Sequence, residues 1–174
     1  MKLLYRGPNR QDLHDQFAKR RRIDADAPVV SMSEMRIEAP PERVWQIIAD
    51  PSGWSSVLPG RRIVRLDNGV TQDAEFVWAM GRTTITSRFA VVDEGRELTW
   101  TGVAMGVKAV DRQVLTATPD GGTVLRVEES MAAPLVRLLF SPGKLRAQHE
   151  IWMTAVKAAA ERGVGAGADT QPKG

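Results

Sequence analysis

Between residues 29 and 131 the chain repeatedly alternates apolar and polar positions with a period near two, the mark of strands that bury one face. Such runs cover residues 29–39, 61–66, 74–80, 83–92, 98 to about 107, 111–117 and 123–131, separated by Asn68-Gly69, Asp93-Glu94-Gly95 and Asp120-Gly121-Gly122. Connections this short join antiparallel neighbours, because parallel strands need a long crossover. The pattern therefore predicts a meander of about six strands with residues 29–39 as a seventh, and Asn68-Gly69 predicts a tight hairpin turn.

Two stretches switch to helical spacing. Pro41 suits a first helical turn, where no backbone donor is needed, and Val44, Ile47 and Ile48 then recur on one side until Asp50-Pro51 stops the run. A second short helix is expected over residues 52–58. Farther on, Ser141-Pro142 is a start signal and Gly163 a stop signal for a helix of about 21 residues, with Leu145, His149, Trp152, Val156 and Ala159 on its apolar stripe. That stripe must cover something, and one face of the sheet is the large partner on offer.

The ends of the chain read differently. Residues 1–28 hold seven Lys/Arg against four Asp, including Lys19-Arg20-Arg21-Arg22, whereas residues 29–174 hold seventeen of each sign. With Leu13 and Phe17 as the two apolar anchors, residues 1–28 are expected to form a basic, flexible or loosely docked arm with a turn or two of helix near residues 9–22. Residues 29–162 form the folded domain, and residues 163–174, rich in Gly, Ala and Pro, are expected to be disordered. The neutral body gives no reason to expect a nucleic-acid partner, while the arm leaves a protein partner open. At 43% hydrophobic residues, with no apolar run of membrane-spanning length and no signal-peptide core at its start, the chain is expected to be cytoplasmic and to have no transmembrane segment.

The order of elements and several local words resemble a known superfamily. The words are Ile37-Glu-Ala-Pro-Pro-Glu-Arg-Val-Trp45, Asp50 followed by Trp54, Leu98-Thr-Trp-Thr-Gly102, Gly121-Gly-Thr123, Glu128-Glu-Ser130, and Trp152 with Val156-Lys-Ala-Ala-Ala-Glu161. They are similar to those of the START-like (SRPBCC) superfamily, in particular its bacterial polyketide cyclase/dehydrase-like members, over roughly residues 30–162. The resemblance implies an α+β helix-grip (START/Bet v 1-like) fold: a curved antiparallel sheet of about seven strands wrapped around the long C-terminal helix, with two short helices after the first strand. It also implies a cavity between sheet and helix, Trp45 as an anchor for the first short helix, and Trp54 near the cavity's mouth or wall. In many relatives a histidine occurs where this chain has Asp111.

Motifs for chemistry are sparse. With no cysteine there is no thiolate nucleophile and no Cys-based zinc site, and the only histidines are His14 and His149. His149-Glu150 lacks a second histidine four residues on, where Met153 stands, and no hydrolase elbow, phosphate loop or dinucleotide fingerprint occurs, so neither a metal nor a cofactor is expected. Alternation instead gathers Phe76, Trp78 and Met80, then Ile85, Ser87 and Phe89, then Leu98 and Trp100, on inward faces, a lining that suits a flat or flexible apolar molecule. Candidate ligand-binding residues are thus Trp54, Phe76, Trp78, Met80, Ser87, Phe89, Trp100, His149 and Met153. Each also fits a plain core role. His149 lies on the buried stripe and needs a polar partner, for which Glu129 and Ser87 are candidates; His149 and Glu129 are also the candidate catalytic pair. Arg88 falls on the outward face.

Three functions fit: binding of a hydrophobic small molecule such as a polyketide, lipid or isoprenoid; a cyclase, aromatase or dehydratase using the same cavity; and a protein-interaction module like the chaperone-activator relatives of this fold. Fold alone does not decide among them.

Overall fold

The computed structural model describes residues 4–162; the tail expected at residues 163–174 lies outside them. Seven strands form one antiparallel sheet in the order β1-β7-β6-β5-β4-β3-β2: β1 (Val29–Ile37), β2 (Arg61–Leu66), β3 (Glu75–Met80), β4 (Thr83–Asp93), β5 (Glu97–Ala104), β6 (Val107–Ala117) and β7 (Thr123–Ala132). Strands 2 to 7 are a plain meander, and β1 closes beside β7 over nine residue pairs, Val29 opposite Met131 through Ile37 opposite Thr123. The helix-grip expectation is met.

The helices follow the sequence signals. In α1 (Arg10–Asp12), the side chain of Asn9 accepts from the Asp12 backbone N–H. In α2 (Pro41–Ile48), Pro41 starts the helix and Val44, Trp45 and Ile48 face the core. A 3-10 turn, Pro51–Gly53, leads into α3 (Trp54–Val57). A short α4 (Val136–Leu139), which no sequence signal announced, precedes α5 (Pro142–Glu161), whose start is capped by the Ser141 side chain accepting from the Lys144 N–H. Among the described residues no helix is long and apolar enough to cross a membrane.

Two connections differ from the sequence reading. Asn68-Gly69 does not form a two-residue hairpin: β2 ends at Leu66, β3 begins at Glu75, and the intervening loop folds back so that Asp73 N–H bonds to Phe89 O on β4. A two-residue turn occurs instead at Met105-Gly106, with φ of 50° and 79°, as one does at Gly81-Arg82, so β6 starts four residues earlier than expected, at Val107. A methionine in the left-handed region gives little warning of a turn.

Residues 1–28, expected as a flexible or loosely docked arm, are seen from Leu4 onward to lie on the outer face of the sheet, away from α5. The helical stretch continues from α1 through a π-turn, Leu13–Phe17, and a 3-10 turn, Ala18–Arg20. Leu13 and Ala18 pack with Ala90 and Val110, and His14 is buried, bonded to Asp73 Oδ1 at 2.9 Å and Thr101 Oγ1 at 3.0 Å. The basic run is engaged within the chain: Lys19 pairs with Asp73, and Arg21 with Asp93 and Glu97. The outward strand positions hold their own charge network, in which Arg112 grips Glu97 and Glu128.

Candidate functional site

The inner face of the sheet is organised in cross-strand rungs. One rung runs Phe76, Ser87, Gly102, Ala109, Met131; the next runs Phe89, Trp100, Asp111, Glu129, Ser31; a third runs Leu98, Gln113, Val127, Ser33. The first has three small residues at its centre, and the second places two carboxylates side by side, next to the aromatic pair Phe89 and Trp100. Directly opposed acids repel unless something neutralises them.

Part of the answer is α5. His149 Nε2 lies 3.0 Å from Glu129 Oε2, so Glu129 is the partner the sequence left open, while Ser87 instead accepts from Trp78 Nε1 at 3.0 Å. The other nitrogen of His149, Nδ1, is buried without a hydrogen-bond partner among the described residues.

The rest comes from a residue the sequence reading passed over. Gly60, at φ +93°, turns the chain from α3 into β2 and delivers Arg61, the strand's first residue, into the interior. Arg61 is only 4% exposed, and its guanidinium lies 4.3 Å from the ring centre of Trp54, 4.6 Å from Trp78, 5.8 Å from Trp100 and 4.0 Å from Trp152. Four indole faces thus hold one cation by their negative quadrupoles, but π faces do not satisfy N–H donors, and Nε and Nη2 have no acceptor among the described residues. The signal was present: Arg61 shares its alternation with Ile63, which lies opposite Trp78.

Burial and charge act together here. Desolvation lowers the Arg61 pKa to about 10, against the pull of Asp111 and Glu129. It raises Asp111 to about 7, helped by the neighbouring Glu129 charge and opposed by Arg61, His149 and the Gln113 hydrogen bond. A carboxyl raised in the folded state favours folding most below its unfolded pKa, and that stability drains away as pH rises through about 7. Asp111→Asn is therefore expected to raise the melting temperature at pH 8 relative to wild type and to bring no comparable gain at pH 5. Equal shifts at both pH values in thermal melts would place the Asp111 carboxyl in water.

The sequence-nominated lining residues come together, though not as a hollow. Trp54, Phe76, Trp78, Phe89, Trp100 and Met153 belong to one buried cluster, with Met80 packed at its edge and half-buried. Phe76 and Phe89 stack at 4.1 Å, and Trp54 meets Phe76, Trp78 and Trp152 edge-on. Trp54 is 0% exposed, with its indole N–H bonded to Ile48 O, so it belongs to the inner wall and not to a mouth. Side chains reach partial exposure at the other end of the rungs, at Met80, Ile85, Ala109 and Met131. A separate cleft of about 270 Å³ lies on the outer face under the N-terminal segment, lined in part by Arg10, His14, Arg88 and Thr101.

A curved antiparallel sheet closed over a long C-terminal helix, with polar groups set into its inner face, defines a helix-grip protein. Residues 29–168 match the family model described as polyketide cyclase / dehydrase and lipid transport, and the chain belongs to that family, within the START-like (SRPBCC) superfamily. Solved structures share the fold at low identity. Protein jhp0584 from Helicobacter pylori superposes with a TM-score of 0.69 at 12% identity, covering 78% of this chain and 90% of that one. Protein MLL2253 from Mesorhizobium loti gives 0.63 at 20% identity, with 76% and 97% covered. Truncated norcoclaurine synthase from Thalictrum flavum gives 0.55 at 17% identity, with 74% and 90% covered. No curated protein matches the chain significantly.

Proposed function

We propose that the protein binds a hydrophobic small molecule, of the polyketide, lipid or isoprenoid kind, between the sheet and α5. The observation that carries this reading is a concentration of buried polar atoms without hydrogen-bond partners among the described residues: Ser31 Oγ, Ser33 Oγ, Arg61 Nε and Nη2, and His149 Nδ1. Buried polar atoms are nearly always paired, so the unpaired nitrogens of Arg61 and His149, which both act on Asp111, point to a partner that is not part of the fold. In this reading the partner sits over the rung of small residues, Ser87, Gly102 and Ala109, entering at the half-buried end near Ile85 and Met131, with the Ile85 side chain that packs over Gly102 moving aside. Trp54, Trp78, Trp100, Phe76, Phe89, Met80 and Met153 form the apolar wall, with Ser87 and His149 among the polar groups.

A neutral fluorophore tests this. 1-Aminoanthracene is expected to bind saturably at one site per chain, and Ala109→Trp, which fills the space over the small rung, is expected to abolish that binding without lowering the melting temperature. Absence of saturable binding to the wild-type protein would leave a solid core.

A second reading is favoured by one feature, the Asp111–Glu129–His149 group. A carboxyl with pKa near 7 beside an imidazole can give and take a proton near neutral pH, which a cyclase or dehydratase needs. In that role Asp111 stands with His149 and Glu129 as a candidate proton carrier. The family, polyketide cyclases / dehydrases and lipid transport proteins, spans both readings.

A further inference from the structure

We propose that the Nε–Nη2 edge of Arg61 is a receptor for a carboxylate, so that the grip selects apolar molecules bearing an acid group over neutral ones of the same shape. This rests on the reading of the grip as a ligand site and narrows its ligand class.

The two unpaired nitrogens are the informative detail. Nε–H and one Nη2–H point the same way from a guanidinium and form the side-on fork that receives both oxygens of a carboxylate. Among the described residues the carboxylates leave that fork free: Glu129 is bonded to His149 at 3.0 Å, and Asp111 accepts from Gln113 Nε2 at 3.2 Å. Both act on Arg61 through space without bonding to it. Indole faces at 4.0 to 4.6 Å from the guanidinium, those of Trp54, Trp78 and Trp152, restrain it, leaving its in-plane edge to be satisfied. A planar anion in that plane would be bonded at both oxygens in a water-poor setting, where charge-assisted hydrogen bonds are strongest. A neutral amide offers one acceptor oxygen and turns donors toward the other nitrogen.

The groups facing this edge set its pH dependence. Asp111 from β6 and Glu129 from β7 act on Arg61, and Gln113 from β6 and His149 from α5 act on those two carboxylates. When Asp111 ionises, its negative charge competes for Arg61. Carboxylate affinity is thus expected to be greater at pH 6 than at pH 8.

The experiment compares 2-naphthoate with 2-naphthamide by calorimetric titration against the full chain. The expected result is naphthoate binding at least tenfold tighter at pH 6, with the advantage shrinking by pH 8. Arg61→Gln is expected to bring the two affinities to about the same value, and Arg61→Lys, which keeps the charge and loses the fork, to retain only part of the ratio. Should the Arg61 variants fail to fold, Asp111→Asn serves: the naphthoate advantage should persist at pH 8. Equal affinities in the wild-type protein, or a preference that survives Arg61→Gln, would overturn the carboxylate receptor while naphthamide binding kept the small-molecule reading intact. Binding of neither naphthalene nor of 1-aminoanthracene would overturn both.

Discussion

Trp152→Ala is expected to destabilise the protein by about 3–5 kcal/mol, the range for emptying a large aromatic site in a core. Three losses coincide there. The side chain is 3% exposed within the main apolar cluster, its indole N–H donates to Gln113 Oε1 at 3.2 Å, and its ring offers Arg61 the nearest π face, at 4.0 Å. Truncation opens a cavity, leaves a buried amide oxygen short of a donor, and removes part of what keeps a desolvated guanidinium tolerable. Trp152→Phe refills most of the volume but not the hydrogen bond, so its cost should be smaller. Urea unfolding at pH 7 measures both; a midpoint for Trp152→Ala unchanged from wild type would mean that α5 does not anchor through this residue.

The helical half of that arrangement was legible from the sequence, and the polar half only partly. Helical spacing placed Leu145, His149, Trp152, Val156 and Ala159 on one stripe; the first four are buried, and in the last turn Ala160 is buried while Ala159 stays partly exposed. Alternation likewise turned Phe76, Trp78, Phe89 and Trp100 inward, because a period of two is a direct consequence of strand geometry. Arg61 and Asp111 escaped because residue type outweighed position: an Arg-Arg pair opening a strand reads as solvated surface, and a carboxylate opposite Trp100 reads as a substitution in a family pattern. Their inward parity with Ile63 and Leu115 was available but is a weaker cue than charge. Cross-strand register, which sets Asp111 against Glu129, is not a local property and cannot be counted off one strand. The docking of the N-terminal segment was hard to read for the same reason. Leu13 and Phe17 looked too few to dock, yet their partners Ala90 and Val110 are small outward residues on distant strands, and His14 finds Asp73 in a loop that local signals had assigned to a tight turn.

That docking yields the second large effect: removing residues 1–28 is expected to cost about 3 kcal/mol or more, chiefly from re-exposing the surface buried by Leu13, Ala18 and the half-buried Phe17 and Ile23. The pairs of Lys19 with Asp73 and Arg21 with Asp93 lie near the surface and should add little, whereas Arg21 also covers the buried Glu97, which Arg112 still holds. Leu13→Ala alone, at a site 3% exposed, should cost about 2–4 kcal/mol. Acid should loosen the same contact. His14 is held below its ordinary pKa of 6.5 mainly by burial, with Arg88 and Lys19 adding to the shift and the hydrogen bond to Asp73 opposing it. The undocked segment therefore takes up a proton first, so docking is favoured above about pH 6.5 and weakens as pH falls below it. A neutral ring satisfies both neighbours, donating from Nε2 to Asp73 and accepting at Nδ1 from the Thr101 hydroxyl. Amide exchange at Ala90, Thr101 and Val110 should accordingly quicken between pH 7 and pH 5 in the wild-type protein after correction for intrinsic rates, and His14→Gln should flatten that dependence. The tryptophan cluster lies on the opposite face of the sheet, so the truncated chain should keep its fluorescence maximum and its 1-aminoanthracene binding while its urea midpoint falls. A truncated chain with the wild-type midpoint would show that the segment contributes nothing to stability, and one that lost the probe site would tie the outer face to the inner one.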